Sequence, residues 1–246
     1  GGASEAVWVS DNISRQLGYS IEEALAPGWW GDHLHPEHRA SVFADMARIA
    51  TADVLRHEYR FAHKDGHYVW LRDELRVLRD ADGAPTAVVG AWSDISEYVK
   101  TDMELRKLSL AVEQSPESII ITNIDAQIEY VNETFLRVSG YTREEVIGRN
   151  PKLLHSGLTP RATFDDMWAT LERGEPWKGQ FVNRRKDGSE YNEFAILAPI
   201  RQPDGRVTHY LAIKDDITER KRMGEELDTY RHHLEKLVDQ RTVELA

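Results

Sequence analysis

Residues 177–219 read WKGQFVNRRKDGSEYNEFAILAPIRQPDGRVTHYLAIKDDITE, and this stretch decides the fold. It holds three strand-like segments, Gly179 to Asn183, Tyr191 to Pro199 and Thr208 to Lys214. Lys186-Asp187-Gly188 and Pro203-Asp204-Gly205 separate them, and both are tight-turn sequences that join antiparallel strands. Upstream, Gln127 to Val131 reads as a short apolar strand leading into a helix that ends at Gly140-Tyr141. Thr142 then precedes Glu144-Glu145, an acidic pair suited to a helix N-terminus. Strands in series with helices gathered before them predict an α+β unit, an antiparallel sheet with its helices on one side.

The same pattern occurs twice. Gly18-Tyr19 returns as Gly140-Tyr141, Glu22-Glu23 as Glu144-Glu145 and Lys64-Asp65-Gly66 as Lys186-Asp187-Gly188. Asp82-Gly83 returns as Asp204-Gly205 and Asp94-Ile95 as Asp216-Ile217. Each pair is 122 positions apart (186 − 64 = 122), so two copies align without a gap over about ninety residues. By this alignment Ala6 to Val9 is the first copy's early strand, although that copy starts abruptly and its first strand is in question. The expected organisation is a first domain over 1–97, a linker helix over 98–115, a second domain over 116–219 and a terminal helix over 220–246.

Both connectors are helical in pattern. Tyr98, Leu105, Leu108 and Val112 share one face of the linker. Met223, Leu227, Tyr230, Leu234 and Leu237 step by 4, 3, 4 and 3, the seam of a coiled coil; Arg241 interrupts it and Leu245 resumes it. The seam predicts a homodimer joined through helices.

The 246 residues carry 42 acidic and 31 basic side chains, a formal charge of −11, and no cysteine. An acidic chain without a basic stripe argues against a nucleic-acid partner. Zero cysteine excludes disulfides, thiolate metal sites and a cysteine nucleophile. No apolar run approaches the roughly 18 residues of a membrane span and no signal peptide opens the chain, which predicts a cytoplasmic protein. His33, His35 and His38 lie close together but lack a suitably spaced acidic or sulfur partner, so structural roles are expected and no metal. His232-His233 lack the context of a phosphoacceptor box and read as solvated helix positions.

The order Gly-Tyr-Ser/Thr-x-Glu-Glu, Trp-x-Gly-x-x-x-Asn-Arg-Arg-Lys-Asp-Gly, Pro-Asp-Gly and Asp-Ile-Ser/Thr-Glu resembles two tandem PAS domains of bacterial sensor proteins. The first copy, with His35-Pro36 to Arg39, looks like the PAS subfamily that carries this element. The second copy resembles the flavin-binding, redox-sensing PAS domains typified by the nitrogen-fixation regulator NifL, the aerotaxis receptor and methane-oxidation sensors. The run carrying this is Leu154-His155-Ser156-Gly157, Met167-Trp168, Pro176-Trp177-Lys178-Gly179 and Asn183 to Gly188. The resemblance implies FAD, with FMN or no cofactor as alternatives. It implies that Asn183 contacts the polar edge of the ring and that Trp168 packs beside it. Asn132 is a second polar candidate, with Arg184 and Arg185 meeting the pyrophosphate and Trp177 and His155 in the same surroundings. Ile119, Ile120, Ile121, Val131, Phe135, Val138, Ile147, Leu153, Phe164 and Leu171 could line the slot or make an ordinary core. Two departures from the flavin pattern are Pro151 and Ile120, where Glu and a small polar residue are common. Without cysteine, the adduct photochemistry of light-sensing PAS domains is excluded.

Asp216-Ile217-Thr218-Glu219 resembles the junction through which PAS sensors pass their state to an output helix, with Asp216 ending a strand and Thr218 capping the helix; Asp94 is its counterpart in the first copy. The expected function is the non-enzymatic sensory region of a signalling protein, most simply a histidine kinase, with its output domain downstream. The alternatives are a cofactor-free or metabolite-binding relay pair and a heme gas sensor using His155.

Overall fold

A computed structural model of the chain describes residues 6–49, 52 and 54–244, with side chains through 236. The chain divides into two compact units, 1–106 and 107–246.

In the second unit β4 (Ser118–Asn123), β5 (Ile128–Val131), β6 (Trp177–Arg184), β7 (Glu190–Arg201) and β8 (Val207–Asp216) form a five-stranded sheet. Their order is β5-β4-β8-β7-β6, with every pairing antiparallel. Between β5 and β6 run α6 (Glu133–Ser139), α7 (Arg143–Val146), a 3-10 turn opened by Pro151, and α8 (Arg161–Glu172). The buried set Ile120, Ile128, Val131, Phe135, Val146 and Leu154 packs the helices to the sheet. A second cluster of Met167, Leu171, Trp177, Phe181 and Ala195 seats α8. Burying such side chains contributes roughly 1.5–3 kcal/mol each. Among the expected lining residues, Ile147 is 42% exposed and faces away from this core.

The first unit repeats the order with α1 (Asn12–Leu17), α2 (Ile21–Ala24), α3 (Trp29–His33) and α4 (Pro36–Met46). Then come β1 (Val54–Ala62), β2 (Tyr68–Arg79) and β3 (Pro85–Asp94). Its sheet has three strands among the described residues, in the order β1-β2-β3. The strand expected at Ala6 to Val9 does not form, and Val7 is 93% exposed. In the second unit that strand, β5, is held by β4; among the described residues of the first unit no strand pairs with residues 6–9.

The repeat holds contact by contact. Lys64 Nζ lies 2.7 Å from Glu23 and Lys186 Nζ lies 2.7 Å from Glu145. Both acids close a capping box, with Ser20 and Thr142 respectively. Gly18 and Gly140 end α1 and α6 at φ 78° and 77°, a left-handed cap that glycine adopts without penalty.

Helix α5 (Ser96–Glu113) leads from one repeat to the next, and α9 (Thr218–Glu244) leaves the second. On α5, Tyr98, Leu105 and Leu108 are exposed; on α9, so are Met223, Leu227, Tyr230 and Leu234. The side chain of Leu237, and Leu245 altogether, lie outside the described residues. No described helix is long and apolar enough to cross a membrane.

Candidate functional site

Strand alternation decides which side chains of the second sheet face the helices. On β6 and β7, Phe181, Asn183, Tyr191, Glu193 and Ala195 are all buried, and Lys214 is their neighbour on β8. Two ionisable groups are thus buried: Glu193 is 2% exposed and Lys214 7%. Lys214 Nζ donates to Glu193 Oε2 at 2.7 Å, and Asn183 Nδ2 donates to the same oxygen at 2.8 Å. Tyr191 OH lies 3.5 Å from the other carboxylate oxygen, Oε1. The Lys214 ammonium sits 5.5 Å from the Phe181 ring centre, adding a cation–π contact. Burial, reinforced by the Glu193 charge, pushes the Tyr191 hydroxyl far above its ordinary value, so it stays a neutral donor.

Around this row stands an aromatic wall. His155 and Phe164 have ring centres 4.4 Å apart, Phe164 stacks on Phe181 at 5.3 Å, and Trp177 lies 5.1 Å from Phe181. His155 also forms an isolated backbone bridge with Asn183. Burial first, then the charges of Lys214 and Lys152, hold its imidazole below the ordinary histidine value, so it is neutral at pH 7. The Trp177 indole covers Gly179, where a Cβ would come within 2.2 Å of the ring, and donates to Asp166 at 2.8 Å.

The structure brings Asn183, His155 and Trp177 together and puts the other candidates elsewhere. Asn132 is fully buried, but its amide is spent on the backbone. Oδ1 accepts from Ile119 and Phe135, and Nδ2 donates to Val112 and Glu117, at 2.9–3.1 Å. An amide has no further capacity after four such bonds, so the expected cofactor contact by Asn132 gives way to a helix cap and strand pin. Trp168 is 37% exposed and meets Tyr210 edge-on. Arg184 lies at the rim, donating to Ser156 O and Glu190. Arg185 turns from any rim role: it donates to Val138 O, pairs with Asp216 at 2.6 Å and stacks 4.3 Å over Tyr191.

Asp216 stands opposite Glu193 in the β7–β8 register. Burial opposes its ionisation, but hydrogen bonds from Arg185 and Thr218 outweigh it and lower its pKa. Its Oδ1 accepts from the Thr218 backbone at 3.0 Å and hydroxyl at 2.6 Å. Asn192 completes the anchor of α9: its N–H donates to Thr218 Oγ1, its carbonyl accepts from Ile217 and its side chain from Lys221. In the first unit Ser96 N–H donates to Asp94 Oδ1 and Ser96 Oγ accepts from the Trp70 N–H, while Ile95 N–H donates to Trp70 O.

Glu193, Lys214 and Asn192 escaped sequence reading. β7 alternates Tyr191, Glu193, Ala195 with Asn192, Phe194, Ile196, so both faces mix polar and apolar residues. The 122-residue offset was the usable signal, since it aligns Glu193 with Leu71, an apolar position in the first copy.

The donor set can be tested against a flavin. The pyrimidine edge of an isoalloxazine presents acceptor, donor, acceptor, and the row Asn183 Nδ2, Glu193 carboxylate, Lys214 Nζ presents donor, acceptor, donor. The residues fit the group. His33, His35 and His38 of the first unit, by contrast, make structural contacts: His33 Nδ1 meets Trp29 O, while His35 and His38 accept from the N–H groups of Glu37 and Arg60.

Comparison with known proteins matches both repeats. A PAS fold model covers residues 6–92 and a PAS domain model covers 116–219. The nitrogen fixation regulatory protein of Klebsiella oxytoca is 40% identical over 107 residues, 44% of this chain and 22% of that protein. The aerotaxis receptor of Escherichia coli is 38% identical over 98 residues, 40% of this chain and 19% of the receptor. The two-component sensor PprA of Pseudomonas aeruginosa is 30% identical over 199 residues, 77% of this chain and 20% of that sensor. The chain thus spans about a fifth of the length of these relatives. With one fold repeated at a fixed offset and each copy matched, the chain belongs to the PAS family and carries two PAS domains in tandem.

Proposed function

We propose that this chain is the sensory part of a signalling protein, that its second PAS domain holds a flavin, FAD for preference, and that α9 delivers the flavin's redox state to an output domain such as a histidine kinase. The observation that carries this is the buried row Asn183–Glu193–Lys214 with its complementary hydrogen-bonding order. Likeness to a nitrogen fixation regulatory protein, an aerotaxis receptor and a two-component sensor supports the sensory role. A bound flavin supplies reversible two-electron redox chemistry. Asn183 and Lys214 would hold it by donating and Glu193 by accepting, with the Phe164–Phe181 wall excluding water. The Lys214 ammonium would favour negative charge at that edge. Glu193, shared between Asn183 and Lys214, would tie that edge to β7. Its neighbour on the strand is Asn192, which holds Ile217, Thr218 and Lys221 at the start of α9. A shift of β7 at 191–193 therefore moves the helix anchor directly.

The absorbance spectrum of freshly purified protein tests the reading. The visible absorbance bands of an oxidised flavin are the expected result, lost in Glu193→Leu. A Soret band, or no chromophore after reconstitution with flavin, overturns it.

A further inference from the structure

The β1–β2 turn of the first unit reads His63-Lys64-Asp65-Gly66-His67. His63 and His67 face each other across the hairpin, with His63 N donating to His67 O at 2.8 Å. Their rings stack at 4.5 Å and 21°, and both Nδ1 atoms converge on Asp65 Oδ1, that of His63 at 2.8 Å. One ligand atom from each of the three lies within 4.8 Å of the others.

The second repeat separates what the turn needs from what it does not. There Arg185 and Ser189 occupy the histidine positions, yet the same turn forms: Arg185 N donates to Ser189 O at 2.8 Å and Asp187 Oδ1 accepts from Ser189 N at 2.9 Å. The turn forms there without an imidazole, with Ser189 Oγ also donating to Asp187 Oδ1 at 2.6 Å, so it does not require either histidine, although His63 Nδ1 accepts from Asp65 N at 3.3 Å in the first repeat. His63 is also positioned from beneath. A Cβ at Gly18 would lie 3.3 Å from its Cε1, so the glycine that caps α1 leaves its ring room.

We propose that His63, Asp65 and His67 form a binding site for a divalent transition ion, a two-imidazole, one-carboxylate set completed by solvent. Two neutral imidazoles with one carboxylate suit zinc, nickel or copper; hard ions such as magnesium prefer all-oxygen shells. The half-buried His63 fixes one ligand while exposed Asp65 and His67 leave the remaining positions open to water. An ion there would bridge the two strands at the tip of the hairpin.

The test uses the whole chain without any affinity tag, titrated with Zn2+ against a chromogenic chelator at pH 7.5. One equivalent is expected to resist competition, and ten millimolar Mg2+ should not displace it. The His63→Arg/His67→Ser double variant copies the second repeat's own turn and so keeps a viable hairpin. It should weaken that equivalent at least about ten-fold, since loss of outer-shell partners alone costs 10–100-fold. His232→Ala/His233→Ala should leave it intact. Unchanged zinc binding in the hairpin variant, loss on removing His232 and His233, displacement by Mg2+, or no retained equivalent each overturns the proposal.

Discussion

Glu193 and Lys214 are paired ionisable side chains less than a tenth exposed, and taking a charged pair out of water costs several kcal/mol per ion before the attraction is counted. The pair persists because geometry is complete: Lys214 and Asn183 both donate to one oxygen and Tyr191 faces the other. Breaking it from one side leaves the other charge buried and unpaired. Glu193→Leu is therefore expected to destabilise the second domain by about 3–5 kcal/mol. Lys214→Met added to it should recover most of that loss, because no lone charge remains. Urea denaturation of the ligand-free protein and its variants measures both. Equal stability of the single and double variants would show that the two charges act independently. Asn132, whose amide spans α6, β4 and the end of α5, teaches the complementary lesson. A buried asparagine in a sensor interior looks like a ligand contact in sequence, and only a count of its four backbone bonds reveals a structural pin.

At the scale of elements, the informative join is that of β8 to α9. Asp216 is held ionised by Arg185 and Thr218 against the cost of its burial, so its pKa in the fold lies below the ordinary 3.8. The stabilisation it gives is therefore fully present above 3.8 and is lost as pH falls through the lower, folded value. Amide hydrogen exchange at Thr218–Lys221 should accelerate in that acidic window in the native protein. Asp216→Asn should remove that pH dependence, and an identical profile in the variant would exclude Asp216 as the titrating group. Sequence reading found this join, since Asp-Ile-Thr-Glu pairs a strand end with a cap residue. It did not find the other half. Asn192 is one polar residue within a mixed strand, and its grip depends on main-chain atoms that no side-chain pattern records. Arg185 was legible as a cation near the site, but its direction was not. Whether it reaches outward or back to Asp216 depends on the Tyr191 ring over which it lies.

Across the whole molecule, the offset of 122 residues made the duplication, both sheets' turns and the connecting helices legible without coordinates. The strand missing at Ala6 to Val9 was not legible, because a strand exists only with a neighbour to bond it. Apolar side chains at 3.5-residue spacing on α9 are at least half exposed: Met223 54%, Leu227 71%, Tyr230 68%, Leu234 50%. A heptad seam left in water favours a second helix against it, consistent with a homodimer. Leu227→Glu at the middle of that seam is expected to shift the protein from dimer to monomer at micromolar concentration, read by light scattering after size exclusion. An unchanged mass would place any self-association elsewhere.

Position 70 is tryptophan in the first repeat and 192 is asparagine in the second, yet both hold the following helix through the same two main-chain atoms, an N–H to the capping hydroxyl and a carbonyl to the residue before it. A coupling made of backbone tolerates almost any side chain at the position that makes it. The interior of each repeat can therefore drift, exchanging Leu71 and Trp92 for Glu193 and Lys214, without its exit being redesigned. Duplicated domains built this way can diverge in what they detect while remaining interchangeable in how they speak to the next helix.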